Sequence, residues 1–193
     1  MTDGASAFNL PKEIGEHSER LLRLIQLRMH ASVRSRVDPE DILQDALLNA
    51  TKRWDEYCEH RRVSVYVWLR GIVIDRLIDN ERKHLHTEVR GVNREEQRRQ
   101  YSESTSLDYA KNFVAKTPSP SEDARKTERA EFLQEKLQHL APRDREVLVL
   151  RFFEHLNLAE IAETMGISRD HAKVLQYRAL KRIAVTFGDD ETL

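Results

Sequence analysis

Apolar residues recur along this chain at spacings of three and four, with charged residues between them. That is the period of an amphipathic helix, and no stretch alternates apolar and polar positions as a half-buried strand would. Leu21, Leu22, Ile25, Met29 and Val33 mark the first stripe, within 16–34. In "DPEDILQDALLNATKRW", 38–54, a second stripe runs through Ile42, Leu43, Ala46, Leu47, Ala50 and Trp54. Asp38 is placed to cap that helix, Pro39 suits its first position, and Glu40 and Asp41 favour the positive end of the helix dipole. Its other face carries Glu40, Gln44, Asp45, Leu48, Lys52 and Asp55, among which Leu48 is the one apolar side chain. A basic loop, "CEHRR" at 58–62, leads into a third helix over 63–84. There Val65, Trp68, Leu69, Ile72, Val73 and Leu77 face a core, and Tyr66, Arg70, Arg76, Arg82 and Lys83 are left for solvent or a partner. These three helices predict a first domain over 16–84.

From 85 to 121 no stripe is sustained and the segment ends in "TPSPS", which predicts a linker. A second helical domain follows over 122–187. Ala130, Leu133, Leu137 and Leu140 form one stripe, and Pro142 starts a helix with Val147, Leu148 and Phe152 on its inner face. The domain closes with "LNLAEIAETMGISRDHAKVLQYRALKRI", 156–183. Asn157 with Glu160 three residues on is a capping pair. Ile161, Ala162 and Met165 share a face, and Gly166 stands where the chain must leave the helix. Ser168 caps a second helix that begins at Arg169. Ala172, Leu175, Ala179 and Ile183 lie on one side of it, and Asp170, Lys173, Val174, Tyr177, Arg178 and Lys181 on the other. One basic helix alone is more often an ordinary solvated face. Cap, tight corner, small residue and basic second helix together predict a helix-turn-helix that reads DNA. The expected fold is all-α: two small helical domains joined by a flexible linker, the C-terminal one a helix-turn-helix.

Composition narrows the class. The 193 residues hold 34% charged and 7% aromatic side chains, with only six Gly and five Pro, as a helical soluble protein does. Neither a membrane-spanning apolar run nor a signal segment is read, and a lone Cys58 leaves no internal disulfide, so a cytoplasmic location is expected. The eight His are scattered, and His84 and His86 lack metal-site spacing. No phosphate loop or nucleophile motif is present. Neither a metal, a cofactor nor a catalytic residue is expected. The net charge of −1 is the unusual feature, because a protein that grips DNA unaided carries a clear positive excess.

Three segments in this order resemble the two-domain sigma factors of bacterial RNA polymerase, of the extracytoplasmic-function type. "DPEDILQDALLNA" is similar to the polymerase-binding segment of that family, and "VYVWLRGIVIDRLID" to its promoter-melting helix. "LAPRDREVLVLRFFEHLNLAEIAETMGISRDHAKVLQYRALKRI" resembles its promoter-reading domain. The resemblance implies core RNA polymerase and promoter DNA as partners, leaves an anti-sigma factor open, and implies no membrane insertion. It implies docking on core polymerase through Asp41, Gln44, Asp45 and Leu48. It implies that Arg61, Arg62, Tyr66, Trp68 and Asp75 meet the −10 element, where a flipped base needs a pocket or stacking surface. Trp68 serves equally well as a core residue. The −35 element falls to Arg169, His171, Lys173, Val174, Tyr177, Arg178 and Lys181, while the linker threads the RNA exit channel. Core polymerase would then supply the DNA affinity that the net charge withholds.

Two positions depart from the family pattern. Asp75 stands where Asn is frequent, and an exposed carboxylate there would repel phosphate yet accept from a cytosine amino group. His171-Ala172 replaces the usual Thr-Val of the recognition helix. The competing reading is an autonomous helix-turn-helix regulator that binds an operator as a dimer, though no ligand pocket, phosphoacceptor or dimer seam is legible in the first domain.

Overall fold

A computed structural model describes residues 9–34, 36–85, 93–115, 132 and 135–188. Every regular element among the described residues is helical, and the chain divides into two compact units at Gly91 and Val92.

The first unit carries α1 (Leu10–Arg28), α2 (Ala31–Arg34), α3 (Pro39–Lys52), α4 (Trp54–His60) and α5 (Val65–Leu85). The stripe expected over 16–34 is thus interrupted after Arg28, where Met29 leaves the helical conformation. α3 begins as its sequence requires. Asp38 accepts a hydrogen bond from the Glu40 N–H at 2.9 Å, and Pro39 occupies the first position. Ile42, Leu43, Ala46 and Ala50 are buried on one face. α5 packs against α1, α2 and α3 and is buried nearly all round. That enclosure corrects two readings, because Tyr66 and Arg70 were expected outside and both are buried. The Arg20 guanidinium lies 3.6 Å from the centre of the Tyr66 ring, and His17 meets that ring edge-on. α1 therefore covers Tyr66 with a cation–π contact.

The second unit corrects the linker reading. Within 85–121 the chain forms α6 (Arg94–Ala115), 22 residues long, which packs on α7 (Pro142–Leu148). Among its described side chains, Tyr101, Ser102, Thr105, Ser106 and Tyr109 are buried. This face has helical spacing but is built largely from hydroxyl side chains, so a search for apolar stripes passes over it. The hydroxyls are satisfied inside the helix: Thr105 donates to the Tyr101 carbonyl at 2.8 Å and Ser106 to that of Glu103 at 2.6 Å. Buried Arg145 of α7 then fastens the pair. Its Nε donates to the Ser106 hydroxyl at 2.7 Å, and its terminal nitrogens reach the carbonyls of Glu103 at 3.4 Å and Leu137 at 3.5 Å. Burial pulls the Arg145 guanidinium below its ordinary pKa, while the carboxylates of Glu146 and Glu103 push it back up.

One wide π-type turn (Val149–Phe153) extends α7, closed by the Glu154 N–H on the Val149 carbonyl at 3.0 Å. The extra residue per turn shifts the helical phase. Val149 and Leu150 go inward and Phe152, expected in the stripe with Val147 and Leu148, turns out with 48% of its surface exposed. Ala130 and Leu133 lie outside the described residues, whereas Leu137 and Leu140 are buried as their spacing predicts. The unit ends with α8 (Leu158–Met165) and α9 (Arg169–Gly188), which packs on α7 and α8. Buried Asp144 of α7 accepts from Arg182 of α9 in an ion pair.

Replacing Arg145 with Leu tests the α6 attachment. The loss of hydrogen bonds from a charged donor is expected to cost about 1.5–3 kcal/mol. Thermal melting and amide hydrogen exchange of the full chain read it, with exchange rising first across 94–115. Unchanged protection of α6 in this variant would assign the attachment to Tyr101 and Tyr109 instead.

Candidate nucleic-acid interface

The corner between α8 and α9 is built by short-range hydrogen bonds. The Asn157 side chain accepts from the N–H groups of Ala159 and Glu160 at 2.9 and 3.0 Å, and Glu160 accepts from the Asn157 N–H at 2.9 Å. Both halves of the expected capping box are present. Gly166 takes φ 63° and ψ 39°, the left-handed conformation that ends α8. The Ile167 N–H returns to the Ala162 carbonyl at 3.0 Å, and the Ser168 hydroxyl accepts from the His171 N–H at 3.2 Å. Only Ile167 and Ser168 separate Gly166 from the start of α9, and the rotation of α9 about its axis is set by this corner.

That rotation divides the helix as the sequence predicts, except that Ile183, expected inside, is half-buried. Ala172, Leu175 and Ala179 are buried; Arg169, His171, Lys173, Val174, Tyr177, Arg178 and Lys181 are all exposed. This face therefore presents four Arg or Lys side chains together with a valine and a tyrosine. Such a surface can neutralise phosphates and lay uncharged side chains against base edges. The Ala172 of the family departure is fully buried and His171 is exposed beside the basic residues.

In the first unit the exposed face of α3 brings together Asp41, Gln44, Asp45 and Leu48 at spacings of three and four. Leu48 is 62% exposed and gains nothing for the fold in that position. The structure brings together only part of the set expected at the −10 element. Arg61 and Arg62 are exposed in the loop after α4, and Arg61 holds a positive φ of 25° that turns the chain there. Tyr66 is buried beneath Arg20, and Asp75 is also buried, so the exposed carboxylate foreseen at Asp75 is not there. Both corrections have one cause, the enclosure of α5 at these positions. Trp68 is half-buried, with its ring stacked on Tyr57 at 4.5 Å and 24°, and Trp54 lies 5.7 Å from it.

Sequence reasoning missed Tyr57. Residues 58–60, expected in a loop, belong to α4, and Tyr57 on that helix is buried. Its hydroxyl donates to the Val63 carbonyl at 2.8 Å, so Tyr57 holds both the Trp68 ring and the basic loop. The signal was a Trp–x–x–Tyr spacing at 54–57, which puts both rings on one side of a helix. Among the described residues no group of His, Cys, Asp and Glu is arranged to hold a metal ion, and no helix is long and apolar enough to cross a membrane.

Together these features define a helix-turn-helix protein with a basic exposed helix face in one unit and an acidic, apolar-tipped face in the other. The family model described as "Sigma-70, region 4" matches residues 137–184. An RNA polymerase sigma-E factor from Streptomyces coelicolor is 30% identical over 149 residues, covering 76% of this chain and 70% of the relative. A sigma-E factor from Streptomyces avermitilis is 28% identical over 149 residues, covering 76% and 69%. The chain belongs to the bacterial RNA polymerase sigma factors of the extracytoplasmic-function type. It binds core RNA polymerase and directs promoter-specific initiation through −35 and −10 elements. A solved complex of the sigma factor RpoE with the anti-sigma factor NepR from Bartonella quintana matches with a TM-score of 0.46 and 16% identity, covering 89% of this chain and 94% of that one.

The two sides of α9 are expected to respond differently to substitution. Leu175→Ala leaves a cavity and should destabilise the second unit by about 2–5 kcal/mol. Lys173→Ala and Arg178→Ala should leave thermal melting unchanged and weaken promoter binding by the polymerase complex. Loss of a phosphate contact lowers the slope of log affinity against log salt by about one unit. Normal −35-dependent transcription by both basic-residue variants would remove this helix from promoter reading.

Proposed function

We propose that residues 16–84 are the polymerase-docking and −10 domain and that 122–187, with α6 packed on α7 in the same unit, are the −35 domain. The observation that carries this division is the opposite character of two exposed helix faces. α3 offers carboxylates around a single exposed leucine, whereas α9 offers cations around Val174 and Tyr177. The first repels DNA and fits a basic protein surface; the second attracts DNA. Asp41, Gln44, Asp45 and Leu48 dock on core polymerase. Arg61 and Arg62 hold phosphates of the opened −10 strand, with Trp68 supported by Tyr57 as the stacking ring. Tyr66 and Asp75 act behind this surface, by fixing α5, and do not touch DNA. Arg169, His171, Lys173, Val174, Tyr177, Arg178 and Lys181 face the −35 duplex.

The chain performs no catalysis of its own, and phosphodiester chemistry stays with the polymerase, in the cytoplasm. At a net charge of −1 the free chain is a weak DNA binder, so promoter affinity is conferred by assembly with core enzyme.

Two measurements test this reading. At physiological salt the free full chain should shift promoter duplex poorly, while its complex with core polymerase binds the same duplex and renders −10 thymines reactive to permanganate. Tight, sequence-specific binding by the free chain would favour the autonomous regulator. The double substitution Asp45→Arg with Leu48→Ala should abolish co-purification with core polymerase and leave the melting temperature in place, because both side chains are exposed. Undiminished co-purification would take these residues out of the interface.

A further inference from the structure

On α9 the exposed residues are not evenly basic. Asp170, Val174, Tyr177 and Lys181, at spacings of four, three and four, form one line along the helix, opposite the buried Ala172, Leu175 and Ala179. Lys173 and Arg178 flank the line on either side. The middle of the line is uncharged: Val174 is 53% exposed and Tyr177 68% exposed. Neither serves the fold, since the buried side of α9 is complete without them. Val174 offers phosphate nothing, and the hydroxyl of Tyr177 is the one group of the pair able to donate to it. Asp170, at the N-terminal end of the same line, carries a carboxylate that repels backbone phosphate, and Lys181 closes the line at the other end with a cation.

A helix seated in the major groove with cations on both flanks turns its central line toward the base edges. The one apolar group that B-form DNA displays there is the C5 methyl of thymine. We propose that Val174 and Tyr177 form an apolar stripe that recognises thymine methyl groups at one or two base pairs of the −35 element. This rests on the reading of α9 as the −35 helix. Tyr177 contributes the face of its ring, and its hydroxyl is dispensable for methyl recognition.

Replacing thymine by uracil isolates the contact, because uracil keeps every hydrogen-bonding group of thymine and lacks only the methyl. A duplex promoter selected by the reconstituted polymerase complex from a random pool is prepared with each −35 thymine, on either strand, changed singly to uracil. Binding by complexes carrying the wild-type chain, Val174→Ala, Tyr177→Ala and Tyr177→Phe is then compared. At one or two positions uracil should weaken the wild-type complex about fourfold, the effect of one buried methyl-sized group. The penalty should vanish with Val174→Ala or Tyr177→Ala and persist with Tyr177→Phe. Four results would overturn the proposal: a −35 element without any A·T pair, uracil tolerated at every position, a penalty unchanged in both Ala variants, or a penalty lost with Tyr177→Phe. In each of these the −35 footprint itself remains, and the assignment of α9 stands. A complex that leaves no footprint over the −35 duplex would instead fail the underlying reading. All three substitutions are at an exposed residue, and unchanged thermal melting of each variant accompanies the binding data.

Discussion

The corner at Gly166 governs what the C-terminal unit can present to DNA. A left-handed residue bearing a Cβ costs about 1–2 kcal/mol, and glycine avoids that cost. The reversal is completed by Ile167 bonding back to Ala162, after which Ser168 caps the next helix at once. Because so little chain separates α8 from α9, the rotation of α9 is not free. One residue more or fewer would turn it by about 100° and exchange buried Ala172 for a neighbouring Lys173 or His171. The exposure of the basic and apolar reading residues follows from the length and chemistry of this loop.

Where function rests on local rules of this kind, the sequence was readable. The Asn157–Glu160 capping box, the left-handed Gly166, the Ser168 cap and the two faces of α9 all involve partners within a few residues of one another. So does the start of α3 at Asp38 and Pro39, with the exposed Leu48 on its far side. What the sequence concealed depends on partners far along the chain. α6 reads as part of a linker because its buried face is built of Ser and Thr around two tyrosines, and Arg145, its fastening, comes 39 residues after Ser106. Tyr66, Arg70 and Asp75 look like outward residues on a helical wheel, but α5 has neighbours on nearly every side and no outward face at those positions. Phe152 leaves the stripe that its spacing predicts because one residue is inserted in a π-type turn, which no hydrophobic period reveals.

The surfaces left after folding explain how one chain of nearly balanced charge serves DNA. With 32 basic and 33 acidic side chains the whole molecule has no electrostatic pull on a duplex, yet its charges are sorted onto different helices. The family to which the chain belongs works in company with core polymerase, and sorting suits that arrangement. In the function proposed above, carboxylates around Leu48 meet the protein partner, and cations around Tyr177 meet DNA once that partner has brought the chain to it. The stability of each unit draws on other residues, the enclosed α5 in the first and the Arg145 and Asp144 attachments in the second. The two working faces are therefore open to substitution without unfolding what carries them.

Hydroxyl-radical footprinting of side chains tests the central claim, that the two faces have different partners and are engaged in order. Leu48 and Tyr177 are both strongly exposed and both reactive toward the radical, so each reports directly on its own helix. Addition of core polymerase should protect Leu48 and leave Tyr177 reactive; further addition of promoter duplex should then protect Tyr177. Protection of Tyr177 by duplex alone, at physiological salt and to the same extent, or a Leu48 that stays reactive in the polymerase complex, would contradict the account.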